Sequence, residues 1–355
     1  MKTRKKSWQI AGIVLLVFTL AICIASPVAV QIMFSDIFAR TAPPEPGLTS
    51  SILYEDIADR YSREPVSFPS GENRLTGHLY CGENAGGLVV ISHGLGGGEG
   101  SYLPEMMYFA DHGYQVLCYS NTGCWDSGGK DCVGLNQSVL DLDAALTWIE
   151  GEMRFEGLPV FLFGHSWGGY AVASIFHFDH NVAASASVAG FNEAMPMIMS
   201  WGEDMLGPLI YLERPFIWIN QKLTFGDALG LTAVEAINST DTPVLLLHGD
   251  EDPTVGYTTV SIISQRDRIT NPNVRYAVCG EERRNGHNSL FYSQAALDYV
   301  DEVNERGRAL NERYGGDVPE EELRSFYASI DKFRARELDA AFMDSILTFY
   351  QSAVQ

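Results

Sequence analysis

The chain alternates between short apolar runs and longer stretches in which apolar residues return every three or four positions. The runs "LTGHLYC" (75–81), "GLVVISH" (87–93), "YQVLCYS" (114–120), "LPVFLFGH" (158–165), "AASASVAG" (183–190), "TPVLLLHGD" (242–250) and "VRYAVCG" (274–280) are short and bounded by Gly, Pro, Asn or Asp. That pattern predicts strands. The middle runs are apolar throughout rather than alternating, as strands covered on both faces should be. Between them, "NQSVLDLDAALTWIEGE" (136–152) sets Val139, Leu142, Ala145, Leu146 and Ile149 along one helical stripe. Strand–helix alternation of this kind predicts an α/β protein with a mostly parallel central sheet flanked by helices. No internal repeat is visible.

Two regions break the rhythm. Residues 191–240 are rich in Met, Trp and Pro ("EAMPMIMSWGEDML", "YLERPFIWINQKL") and carry no strand signal, which predicts a small helical cap insertion. Its aromatic and thioether side chains serve either as packing or as part of a substrate pocket. Residues 301–337 are charged and helical around a "YGGDVPEEEL" break, and read as a solvated insertion without chemistry. A final amphipathic helix follows in "LDAAFMDSILTFYQSAV" (338–354).

The N-terminus has its own pattern. "MKTRKK" holds four basic residues, and no charge then appears from Ser7 to Ser35. The apolar stretch is long enough for the roughly 20 residues that a membrane-spanning helix needs. Residues 1–35 are therefore expected as an N-terminal transmembrane anchor, its basic end cytoplasmic and the rest of the chain on the other side. Three alternatives stay open: a signal sequence cleaved after Ala25, lipid attachment at Cys23, or a buried helix. Residues 36–63, with the Pro-rich "TAPPEPG" (41–47), read as a linker and entry segment, and 64–355 as the main domain.

Composition narrows the partners. A hydrophobic fraction of 46% with 19% charged residues excludes broad disorder. A net charge of −21, with no basic run beyond the first six residues, excludes nucleic acid. The cysteines show no metal-ligand spacing, and Cys124 and Cys132 are either a disulfide across a Gly-rich loop or free thiols.

The chemistry begins at "VFLFGHSWGGY" (160–170), where G-x-S-x-G follows a strand and precedes a helix. This describes a crowded turn that lifts the Ser166 hydroxyl above the sheet, with Gly164 and Gly168 avoiding a collision across it. The bland alternative is a serine that merely caps a helix. A serine nucleophile needs a base and a group that orients the base. "TPVLLLHGDEDPTV" offers the acid just past a later strand, where Asp252 is selected, Asp250 reads as a turn-capping carboxylate and Glu251 as solvated. Of the eight histidines, His93 and His248 read as structural, and His165 lies in the turn pointing away from Ser166. His177 and His180 lie too far past the helix, and His78 and His112 precede the machinery. His287 in "RRNGHNSLF" remains as general base. "VVISHGLGGGEG" supplies a flexible loop, and the N–H groups of Leu95 and Trp167 are the expected oxyanion donors, with Gly96, Gly97 and Gly98 allowing close approach. No Gly-Lys-Ser/Thr follows, so the loop is not a nucleotide cradle.

Taken in order, "SHGLGG", "GHSWGG", "HGDEDPTV" and "NGHN" resemble the α/β-hydrolase superfamily, within it the esterase, monoacylglycerol-lipase-like and serine-aminopeptidase-like serine hydrolases. The resemblance covers roughly residues 64–300. In "YSNTGCWDSGG", Asn121, Cys124 and Trp125 depart from the family pattern. The resemblance implies an α/β-hydrolase fold, a Ser166–His287–Asp252 triad and an acyl-enzyme reaction that requires no cofactor and no metal. The expected substrate is a carboxylic ester, small or lipid-like with an apolar acyl group. A serine aminopeptidase is the alternative, its amine held by Glu203, Asp204 or Glu213, and a catalytically silent membrane-anchored binding module is the non-enzymatic reading.

Overall fold

A computed structural model describes residues 2–354; before Cys23, side chains are described only at Gly12, Ile13, Val14 and Leu16. Eight strands form one sheet: β1 (Arg63–Ser70), β2 (Asn73–Tyr80), β3 (Leu88–Ser92), β4 (Gln115–Tyr119), β5 (Val160–His165), β6 (Ala184–Val188), β7 (Val244–Gly249) and β8 (Val274–Cys279). Their spatial order is β1-β2-β4-β3-β5-β6-β7-β8. β2 runs against both its neighbours, and every pairing from β4 to β8 is parallel. The helices are α1 (Lys2–Ile37), α2 (Leu103–Asp111), α3 (Gln137–Gly151), α4 (Trp167–Ser174), α5 (Ala194–Leu206), α6 (Ile210–Phe225), α7 (Ala233–Asn238), α8 (Gln294–Arg313), α9 (Glu320–Ala328), α10 (Lys332–Ala335) and α11 (Ala340–Ala353).

Central strands that are apolar at every position feed two cores at once, because successive side chains point to opposite faces. Leu88, Val90 and Leu162 pack with α3 and α4 on one side. Val89, Ile91, Phe161 and Phe163 pack with α2 and α11 on the other. β1 was not among the expected strands. It is an edge strand, where Pro65 and Pro69 cost no inner ladder bonds, and its Val66, Phe68 and Ser70 alternate inward.

The cap insertion is helical, formed by α5, α6 and α7. Among the described residues no helix is long and apolar enough to cross a membrane. The transmembrane span expected over residues 1–35 is thus not found there, and much of it lies outside the residues whose side chains are described. The end of α1 packs into the body instead: Ser26, Val30, Phe34 and Phe38, spaced one turn apart, are buried. Ser26 donates to Glu213 of α6 at 3.0 Å, and Asn220 of α6 donates to Gln31 at 3.3 Å. The following segment is docked as well, since Arg40 donates to the carbonyls of Trp125, Ser127 and Gly129.

Candidate active site

Ser166 joins β5 to α4 with φ 57° and ψ −113°, a backbone conformation that a side-chain-bearing residue adopts only when its surroundings impose it. Two hydrogen bonds impose it here. Ser166 N–H donates to Val188 on β6 at 2.8 Å, and its carbonyl accepts from Tyr170 at 2.9 Å. A Cβ at Gly164 would lie 2.2 Å from the Gly168 carbonyl oxygen, the collision expected across the turn. Gly168 answers to a different neighbour. A Cβ there would lie 1.9 Å from the carbonyl oxygen of Ser92, so it is β3, and not the turn, that requires glycine.

β7, separated from β5 by β6 in the sheet, delivers the candidate acid. Asp252 is 5% exposed and fully engaged. Its Oδ1 accepts from Thr254 N–H at 2.8 Å and Val255 N–H at 2.9 Å, and its Oδ2 accepts from His287 Nδ1 at 2.7 Å. His248 Nε2 stands 3.2 Å from the same Oδ2 while donating to the Val255 carbonyl at 2.8 Å. Burial pushes the Asp252 carboxyl up, but the hydrogen bonds from His248 and His287 outweigh it and hold the group well below the usual range. Asp250 and Glu251 are exposed, and Asp250 accepts from Asn285 at 2.8 Å, tying the strand end to the His287 loop.

His287 is buried but lines the same pocket as Ser166. With Nδ1 committed to Asp252, its Nε2 is the nitrogen left for a hydroxyl. Among the described residues no hydrogen bond joins Nε2 to Ser166 Oγ. His165 does point away from Ser166, yet it serves the site. Its Nε2–H donates to the His287 carbonyl at 3.0 Å, and its Nδ1 accepts from the Tyr102 hydroxyl at 2.7 Å. Burial and the nearby His287 push His165 down to about 3, so it remains a neutral bracket across the working range. Gly94 N–H donates to Tyr102 at 3.2 Å, which links the loop after β3 into this network.

Leu95 lines the pocket beside Ser166. Trp167 is the first residue of α4, where a backbone N–H has no partner within the helix. Gly98 departs from its expected part: a Cβ there would lie 2.3 Å from the Trp125 ring, so its bareness makes room for that indole. His93 is structural, donating to the Gly94 carbonyl and accepting from Asn121 N–H at 3.0 Å. Cys124 and Cys132 are free thiols with sulfurs 3.5 Å apart. No group of metal-ligating side chains occurs among the described residues.

The pocket encloses about 530 Å³ at the C-terminal ends of the strands. A hollow of about 700 Å³ opens at the other end of β5 among Glu150, Glu152, Met153 and Val354, and Ser166, Asp252 and His287 do not line it. Residues that sequence reasoning did not single out also line the active pocket. Glu105 enters from α2, Trp201 from α5, and Arg336 from the end of the charged insertion. Glu203 and Asp204 lie exposed on α5, Glu213 accepts from Ser26, and none of the three lines the pocket.

A family model described as serine aminopeptidase, S33, matches residues 83–224, less than half of the chain; the match includes Ser166 and the first two cap helices. No curated protein sequence matches the chain. Among solved structures, an esterase of Pyrococcus furiosus, Pf2001, superposes with a TM-score of 0.53 at 18% identity, covering 78% of this chain and 98% of its own. An acylaminoacyl peptidase of Pyrococcus horikoshii gives a TM-score of 0.49 at 18% identity, over 67% of this chain and 40% of its own.

Proposed function

For a chain that belongs to the α/β-hydrolase superfamily, we propose a serine hydrolase that cleaves a carboxylic ester by an acyl-enzyme route. The observation that carries the reading is the 2.7 Å hydrogen bond from His287 to Asp252, set in one pocket with a serine on a strained turn. In this reading Ser166 attacks the carbonyl carbon and His287 Nε2 takes its proton. Asp252 holds the imidazolium, and the N–H groups of Leu95 and Trp167 receive the oxyanion. His287 then returns the proton to the departing alcohol, and water releases the acyl group. Leu95, Trp201 and Phe291 offer an apolar wall for an acyl chain.

The test is hydrolysis of p-nitrophenyl esters, acetate through long-chain, by the full-length protein in detergent, with Ser166→Ala alongside. The variant should lose several orders of magnitude in kcat. Wild type that turns over no ester and takes up no serine-directed fluorophosphonate sinks the reading and leaves the silent binding module. The family match favours a second reading, a serine aminopeptidase. The carboxylates expected to hold its amine stand outside the pocket, which weighs for the ester. Aminoacyl p-nitroanilides in the same assay decide between them.

Attachment to a membrane through residues 1–35, with the N-terminus cytoplasmic and the hydrolase body on the far side, belongs to the same proposal. It is supported by the uncharged run from Ser7 to Ser35 and by an apolar surface where Ile24, Val28 and Ile32 of α1 and Leu212, Trp218, Ile219 and Leu223 of α6 lie exposed. Alkaline extraction of membranes tests it: retained protein supports an anchor, and release of a chain shortened near Ala25 supports a cleaved signal.

A further inference from the structure

The active pocket holds a cation for which the triad has no use. Arg336 follows α10 at the end of the charged insertion, and its backbone is fixed against the segment after His287. Tyr292 and Leu338 form an antiparallel bridge, and Ser293 N–H donates to the Glu337 carbonyl at 2.9 Å. The guanidinium donates to the Tyr292 hydroxyl at 2.8 Å and lies 5.6 Å from that ring's centre. Among the described residues no carboxylate pairs with it. A half-buried guanidinium with five donors and one side-chain partner is an incomplete arrangement, because desolvated charge is costly unless it is matched. The planar fork fits a carboxylate through two parallel hydrogen bonds.

Glu105 is the carboxyl that shares the pocket with Arg336. It lines the same pocket and is 3% exposed. Burial pushes its carboxyl up to about 7, and Arg336 opposes only part of that rise. In its protonated form Glu105 can donate a hydrogen bond to a singly charged carboxylate. A phosphate dianion would set two charges against one guanidinium, in a chain whose net charge is already −21.

We propose that Arg336, aimed by Tyr292 and accompanied by Glu105, forms a subsite for a carboxylate carried by the substrate, so that the preferred ester is an acidic one. Resting on the hydrolase reading above, this places an apolar stretch of substrate along Leu95, Trp201 and Phe291 and its carboxylate at Arg336. Arg336 binds and orients; it takes no part in bond breaking.

The experiment compares matched esters on the full-length protein in detergent. One pair tests the acyl half: p-nitrophenyl hydrogen suberate against p-nitrophenyl octanoate. The other tests the leaving half: 4-acetoxybenzoate against 4-acetoxybenzamide. The readout is the ratio of kcat/KM for the anionic to the neutral member, in wild type, Arg336→Gln and Arg336→Lys. Expected is a ratio above one in wild type for one of the pairs, which thereby identifies the half that bears the carboxylate. Arg336→Gln should lower that ratio by about tenfold or more, mainly through KM, and Arg336→Lys should restore part of it. Fluorophosphonate labelling of each variant at the wild-type rate shows that the site is folded; if Arg336→Gln fails that check, the wild-type and Arg336→Lys ratios decide. Equal losses on both members, or an unchanged ratio, overturn the subsite while the hydrolase reading stands. Absence of turnover on every ester, with no labelling of wild type, overturns both.

Discussion

At the scale of single residues, the pocket contains an acid, Glu105, whose ionisation works against the fold. The buried Glu105 carboxyl, pushed up to about 7, keeps its proton in the native state at pH values where the unfolded chain has released it. Between the unfolded value near 4.5 and about 7 the native state binds more protons, so the Glu105 contribution to stability falls as pH rises and the penalty is complete above 7. Glu105→Gln removes the titration. Relative to wild type, it should be stabilising by up to about 3 kcal/mol at pH 8 and show little of that gain at pH 5. Urea unfolding at the two pH values measures it, and an equal effect at both would show that Glu105 is ionised throughout. Glu105 could not be read from the sequence, because "LPEMMYFAD" looks like any acidic first helical turn. Ser166, Asp252 and His287 could be nominated from the sequence because each follows a strand in a short, chemically distinctive segment. His165 stands next to Ser166 and His248 four residues before Asp252, but the local sequence does not show that they bond to the His287 carbonyl and to Asp252, and Tyr102 reaches His165 from a separate segment.

Elements were legible where a period repeats and obscure where a contact decides. Seven strands and the α3 stripe follow directly from apolar patterning; Val139, Leu142, Ala145, Leu146 and Ile149 are all buried. β1 escaped because two prolines interrupt its alternation, a cost that edge position removes. The charged insertion read as solvated, and most of it is, yet Arg336, two residues before the bridge at Leu338, reaches the pocket. The end of α1 likewise read as apolar without revealing that it docks. Phe38 is 1% exposed in the same core as Leu88 and Leu162, with its ring 5.5 Å from that of Phe34. Phe38→Ala should cost about 3–5 kcal/mol in unfolding of the hydrolase body, followed by urea denaturation in detergent. A cost below about 1 kcal/mol would mean that the helix end contributes little to the body. For the same reason a version cut at residue 40 would lose core packing along with the N-terminal segment.

Across the whole molecule, the strand that presents Ser166 is held by the far end of the chain. Tyr350 on α11 is fully buried, its ring stacks on Phe161 at 4.8 Å, and its hydroxyl donates to the Leu162 carbonyl at 2.6 Å. Tyr350→Phe keeps the stacking and deletes the hydrogen bond, and should lower stability by about 1 kcal/mol, read as a shift in urea midpoint. No shift would mean that stacking alone holds the helix. These two contacting residues stand 188 positions apart. Synthesis therefore adds Ser166 before Asp252, His287 and Arg336, and Tyr350 only after all of them. A ribosome that has just finished Ser166 has β3 and Tyr102 behind it, but has yet to make Val188, which holds the turn, and Asp252 and His287, which face it.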